Sequence, residues 1–346
     1  MTAASANVAA TPSARAGWRD WLVPGILAAL LLAAAVASLF AGSVAVAPAE
    51  VARSLLGGDA SVREIIVWQL RVPRTLLAML IGASLGLSGA VLQGLLRNPL
   101  AEAGVLGISA AAALGAVIAF YTGFAALFLL ALPLGGMAGA ACAVGLLLAL
   151  AGPGTGALTL ILAGVAISSL AGALTALALN LSPNPYAATE IVFWMMGSLA
   201  DRSFEHVRMA AACMLPGWLL LFSTRRALDA LSLGEDTATS LGFAIGAIRL
   251  RAVFGTALAV GAAVSVSGAI GFIGLVVPHL LRPLVGHEPG RLLLVSALGG
   301  ALLLTLTDIV IRLFSTGPEL KIGVLTALFG APFFLLLLLR LRKEMP

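Results

Sequence analysis

Apolar runs of roughly 16 to 25 residues recur from Leu22 to Leu341, interrupted only by short Gly, Pro or Arg punctuation. Segments this long and this apolar satisfy their own backbone donors and acceptors only as helices, and only lipid tolerates so many of them side by side. A barrel would instead show alternating segments of about ten residues. Composition agrees: 61% of the 346 residues are hydrophobic and only 10% are charged, with a mean hydropathy of +1.10. The chain reads as an all-α, polytopic membrane protein with about ten transmembrane helices.

The expected spans lie near 22–42, 70–95, 105–121, 125–150, 157–180, 207–223, 246–268, 270–285, 291–313 and 320–341. Residues 1–20 form a small polar tail and 21–346 the transmembrane body. The run Leu22–Ala41 is longer than the 7 to 15 residues of a signal-peptide core, so it reads as an uncleaved span with a cytoplasmic N-terminus. An even number of spans returns the C-terminus to the cytoplasm. The basic cluster Arg340, Arg342 and Lys343 at that end obeys the positive-inside rule, as do Arg97, Arg225, Arg226, Arg249, Arg251, Arg282 and Arg291 in inner connections.

The net charge of +5 is scattered in ones and twos at span ends, with no block suited to nucleic acid. Eight basic residues fall on the outer side of this topology: Arg53, Arg63, Arg71, Arg74, Arg202, Arg208, Arg312 and Lys321. A short translocated loop normally avoids arginine, so this excess points to a basic outer rim that meets an acidic partner. Cys142 and Cys213 sit inside apolar runs and read as buried free thiols.

An internal repeat is visible at a constant shift of 179 residues. Gly82–Pro99 (GASLGLSGAVLQGLLRNP) aligns without gaps on Gly261–Pro278 (GAAVSVSGAIGFIGLVVP), bringing Ser88, Gly89 and Ala90 onto Ser267, Gly268 and Ala269. The second expected span then corresponds to the seventh. An odd displacement turns the second copy over, the inverted-repeat plan of many transporters, with halves near 70–180 and 246–341.

The chain carries no chemistry of its own. No G-x-x-x-x-G-K-[ST] occurs, and Gly152–Gly156 (GPGTG) lacks the lysine that would reach a phosphate, so it reads as a tight connection. Mid-span charge, the mark of an ion-coupled carrier, is nearly absent; Asp308 lies four residues before Arg312 and reads as its one-turn ion-pair partner. Glu102 reads as a helix-terminal or loop residue, and His279 as a packing residue. Without H-E-x-x-H or G-x-S-x-G, an intramembrane hydrolase has no candidate centre. Energy must come from another chain. The longest polar run between the first and last spans, Arg225–Gly242, suits that need: Leu228, Leu231 and Leu233 give an apolar edge, Gly234 breaks the run, and Glu235, Asp236 and Thr237 open a second short helix.

Four stretches make the chain similar to the FecCD family of ABC importer permeases: Arg71–Ser109, Leu228–Gly242, Gly271–Arg282 and Thr307–Leu338. The resemblance covers nearly everything after Ala41. It implies a type II importer permease of the bacterial inner membrane, embedded in membrane lipid and working as a homodimer. Its other partners would be two cytoplasmic ATP-binding subunits, which would hold ATP and Mg, and a periplasmic substrate-binding protein. The permease itself would be non-catalytic and hold no cofactor or metal. It further implies that Leu228, Leu231, Gly234, Glu235, Asp236, Thr237, Leu241 and Gly242 couple to the ATPase, and that Arg71, Arg74 and Arg312 dock the binding protein. The family serves haem, ferric siderophores and cobalamin. The outer stretch Ser182–Ser203 corresponds to the family's variable gate, where Arg202 would suit an anionic cargo; on that basis haem is favoured, then a ferric siderophore, then cobalamin. A secondary carrier without ATPase partners is the competing class.

Overall fold

A computed structural model describes residues 19–344 except 43, 45, 57–61, 125–126, 129, 151–155, 183–184 and 315–319. Residues 1–18 of the expected 1–20 tail and most of the GPGTG connection lie outside the described residues, as do the side chains of Arg340, Arg342 and Lys343, while residues 19 and 20 already belong to α1. Among the described residues the regular structure is entirely helical: α1 (Arg19–Phe40), α2 (Pro48–Leu56), α3 (Val62–Ile65), α4 (Val72–Leu95), α5 (Ile108–Tyr121), α6 (Ala131–Leu150), α7 (Ala157–Asn180), α8 (Pro185–Met195), α9 (Phe204–Ser223), α10 (Arg225–Leu231), α11 (Glu235–Ser240), α12 (Ile245–Ser267), α13 (Ile273–Leu281), α14 (Pro289–Phe314) and α15 (Ile322–Glu344). A π-helical turn, Ile66–Arg71, leads into α4.

Seven of these helical stretches, containing α1, α4, α6, α7, α9, α12 and α14, are long and apolar enough to cross a membrane; α5, α13 and α15 contribute shorter apolar stretches. Each expected span falls on one of these ten helices. The most enclosed are α4 and α12, whose apolar windows are 83% and 78% buried, whereas the window in α1 is only 17% buried. The core is therefore built around α4 and α12, with α1 laid against its outside.

Lipid supplies no hydrophobic drive for helix association, so close backbone approach must supply dispersion contact instead. The glycines of α4 do this. A Cβ on Gly86 would lie 2.1 Å from the carbonyl oxygen of Ser296, one on Gly300 2.2 Å from that of Gly82, and one on Gly89 1.9 Å from that of Gly274. α4 thus touches α14 and the start of α13 backbone to backbone. Gln93 adds a polar stitch at the same seam, donating from Nε2 to the carbonyls of Gly274 and Leu275 at 3.2 and 3.3 Å.

The aligned stretches run helix against helix over 82–88 and 261–267, then diverge. Gly89 continues inside α4, whereas Gly268 takes a φ of +75° and ends α12. That break is part of a node where three distant segments meet through backbone alone. The Ser198 amide donates to the Ser267 carbonyl at 2.8 Å, the Ile322 amide to Gly197 at 3.0 Å, and the Gly323 amide to Met196 at 3.1 Å. A Cβ on Gly268 would stand 2.1 Å from the Trp194 carbonyl oxygen. The node ties the end of α8 to the beginning of α15 and to the α12–α13 turn.

Candidate functional site

The polar run between α9 and α12 folds as two short helices, α10 and α11, separated by Gly234 at φ +117°. Leu228 and Leu231 do not face outward. They are 0% and 3% exposed and pack into a cluster with Val91 and Leu95 of α4 and Leu292 and Val295 of α14. The outward surface is made by others: Leu233 and Leu241 are 69% and 61% exposed, and Asp236, Thr237 and Gly242 are exposed beside them.

Two polar bonds fasten this knob to the membrane helices. Asp229 Oδ1 accepts the backbone amide of Gly290 at 2.6 Å, capping the first turn of α14. A carboxylate there satisfies an orphan amide and also meets the positive end of the helix dipole. Glu235 pairs with Arg249 of α12. The knob is thus tied to α14 through Asp229 and to α12 through Glu235. Sequence reasoning placed Arg249 only as an inner-side charge and passed over Asp229. An acid between buried leucines, at i+1 from Leu228, was the available signal, since it must turn toward something polar.

Arg71, Arg74 and Arg312 are brought together, but they converge inward rather than projecting as separate rim charges. Asp308, 1% exposed, is the centre. Its Oδ1 accepts Arg74 Nε at 2.8 Å, and its Oδ2 lies 2.9 Å from Arg312 Nη2. The one-turn pair expected from sequence is present, with Arg74 as a second partner. The remaining donors close the end of α1. Arg71 Nη1 donates to the Leu39 carbonyl at 2.6 Å and its Nη2 to the Val44 carbonyl. Arg312 Nη1 donates to the carbonyls of Ser38 and Ala41 at 2.9 and 3.0 Å. The last carbonyls of a helix lack intrahelical donors and carry the negative end of its dipole, so two guanidiniums are well matched to them. Ser38 Oγ also lies 2.7 Å from Thr75 Oγ1 of α4.

Arg202 stands apart from this cluster, in the turn between α8 and α9. It is half-buried with its Nε enclosed and unpartnered, and burial lowers the pKa of its guanidinium against the opposing effect of Asp201. Glu102 precedes a short 3-10 turn, Ala103–Leu106, as a loop residue; burial raises the pKa of its carboxyl, partly offset by the backbone amide of Phe272. His279 stacks edge-on against Phe333, with ring centroids 5.9 Å apart.

The chain is 40% identical over 322 residues to the vitamin B12 import system permease protein BtuC of Salmonella paratyphi A, covering 92% of this chain and 95% of that one. The same figures hold for BtuC of Salmonella typhi. A solved chain described as a metal-chelate type ABC transporter, in an inward-facing conformation, superposes with a TM-score of 0.82 at 33% identity, over 92% of this chain and 99% of that one. PsaBC from Streptococcus pneumoniae shares the fold, with a TM-score of 0.50 at 18% identity over 76% of this chain and 89% of that one. The model of the FecCD transport family matches residues 30–340, and the chain belongs to that family.

Proposed function

We propose that this chain is the membrane-spanning permease of an ATP-driven importer, and that force enters it through α10 and α11. The chain is an ABC transporter permease of the FecCD and BtuC type, non-catalytic, with ATP hydrolysis on a separate subunit. The observation that carries the coupling role is the fastening of the knob: Asp229 holds the start of α14, Glu235 holds α12, and Leu233, Asp236, Thr237 and Leu241 remain free for a partner. Leu228 and Leu231 serve by holding the knob to α4 and α14, and Gly234 by allowing the turn between its two helices.

The reading of the whole assembly is alternating access in a homodimer with ten spans per subunit, built on an inverted repeat. The exposed leucines and Phe329 of α7 and α15 supply apolar faces for a second copy or for lipid. On the outer side Arg74 and Arg312 pair with the carboxylate of Asp308 while Arg71 binds the Leu39 and Val44 carbonyls, which leaves an excess of two positive charges to attract an acidic binding protein. The termini and the knob lie on the cytoplasmic side in this reading, and the arginine cluster on the periplasmic side.

For cargo, a cobalt corrinoid is the first reading, supported by the relatives that import vitamin B12. Arg202, the candidate cationic entrance for an anionic cargo such as haem, has its Nε enclosed, so haem and ferric siderophores stand second. Uptake into proteoliposomes holding the complete importer, with labelled cobalamin, haem and a ferric siderophore in parallel, tests the order. Saturable cobalamin uptake alone supports the corrinoid, and uptake of haem alone replaces it.

A further inference from the structure

A polar cavity of about 300 Å³ opens at the end of the bundle that carries α10 and α11. Its walls come from the last turn of α4 (Gln93), the turn after it (Arg97, Asn98), the end of α10 (Ser232), the residues following α13 (Arg282, His287) and the beginning of α14 (Pro289). None of its lining residues is acidic. Arg97 and His287 have no side-chain partner among the described residues, and both are exposed. Arg282 is held in place, since its Nη2 donates to Gln93 Oε1 at 2.6 Å while the amide nitrogen of Gln93 is occupied by Gly274 and Leu275. Arg97 and His287 are also two of the four non-glycine residues with positive φ among the described residues, at +47° and +62°. Left-handed backbone is costly for a side chain bearing a Cβ, and it persists where surrounding structure fixes it.

We infer that this cavity binds a phosphate-class anion, with Arg97, Arg282 and His287 as its donors. Two guanidiniums and an imidazole facing a cavity without a carboxylate form an uncompensated positive site. Guanidinium forks match phosphate oxygens in geometry as well as charge. The size admits a phosphate with part of its ester, and the cavity lies where two long apolar helices end, at the last turn of α4 and the first of α14, a position that suits the headgroup of an anionic phospholipid. Free phosphate offers the same chemistry. The importer reading contributes only the naming of this end as cytoplasmic; the site itself follows from the cavity.

The test uses the purified full chain in uncharged detergent without any ATPase. Retention of phosphatidylglycerol and of phosphatidylcholine is read by native mass spectrometry, and titration with inorganic phosphate by thermal unfolding. The variants are Arg97→Gln combined with His287→Asn, neither of which breaks an intrachain side-chain bond, and Arg208→Gln as a remote control. Saturable binding of phosphatidylglycerol, of phosphate or of both is expected, weakened at least about tenfold in the double variant and unchanged in the control. Binding of the lipid alone assigns the headgroup as the source, and binding of phosphate alone assigns the free anion. Two results overturn the inference: neither probe binds, or the double variant binds as well as the parent. Loss of the site would leave the permease reading untouched, because no ATPase or cargo enters the binding measurement.

Discussion

Replacing Asp308 with asparagine keeps its shape and removes the one negative charge among three arginines. The Arg74 and Arg312 side chains that pair with it are only 15% and 7% exposed, and Asp308 itself is 1% exposed, so solvent screens these pairs weakly. Removing one partner of a buried ion pair costs about 3–5 kcal/mol, because the other charge stays buried and uncompensated. Here the carbonyls of Ser38 and Ala41 still accept from Arg312, which places the loss near the lower end, about 3 kcal/mol. For a chain of this length the midpoint of unfolding in detergent should fall on the order of 5 °C. The loss should be local. α1 has little buried surface, and its C-terminal end is held by Arg71 and Arg312, so hydrogen exchange should accelerate over residues 37–42 before it changes in α4 or α14. Asp308→Glu, which restores the charge at a shifted position, should recover part of the loss. An Asp308→Asn midpoint within about 1 °C of the parent, with α1 exchange unchanged, would refute the cluster's structural role.

Other outcomes follow from the same geometry. Leu228→Ala should cost about 3 kcal/mol in the isolated permease, whereas Leu233→Ala should leave its unfolding within about 0.5 kcal/mol of the parent and instead weaken ATPase association; pull-down beside thermal unfolding separates the two. Gly268→Ala places a Cβ against the Trp194 carbonyl at a φ of +75° and should abolish folded yield, while Gly145→Ala, with nothing within 4 Å, should be neutral or mildly stabilising by size-exclusion profile and midpoint. Glu102 has a raised folded pKa, so the folded state holds its proton more tightly than the unfolded one, and stability declines as pH rises from the ordinary value of 4.5 through the raised one. Glu102→Gln should flatten that decline in unfolding midpoints measured from pH 5 to 8, and an unaltered pH profile would contradict it.

The apolar helices were legible because hydropathy marks such runs directly: each expected span falls on an apolar helix, seven of them in stretches long enough to cross a membrane. The short helix α8 and the three-way node were not, because the node is made by backbone amides and carbonyls, which every sequence possesses. Gly268 showed only as a match to Gly89; nothing in the residue letters says which copy stays helical. Leucines at positions 228 and 231 announced an apolar edge, but periodicity gives the edge and not its occupant, and here the chain's own α4 and α14 fill it. The arginines illustrate the same limit. A charge count placed Arg71, Arg74 and Arg312 on the outer side together, yet the carbonyls at the end of α1 that they satisfy carry no signature in sequence.

The central claim is that transport through this chain is driven by ATP through α10 and α11. Its most direct test is cargo uptake into proteoliposomes containing the permease, its ATPase and its binding protein, with ATP either present or absent inside and ion gradients collapsed. The account predicts uptake only with hydrolysable ATP, and ATPase activity without uptake when Leu233 and Leu241 are both replaced by serine. Uptake by the permease alone, driven by an ion gradient and indifferent to ATP, would contradict it.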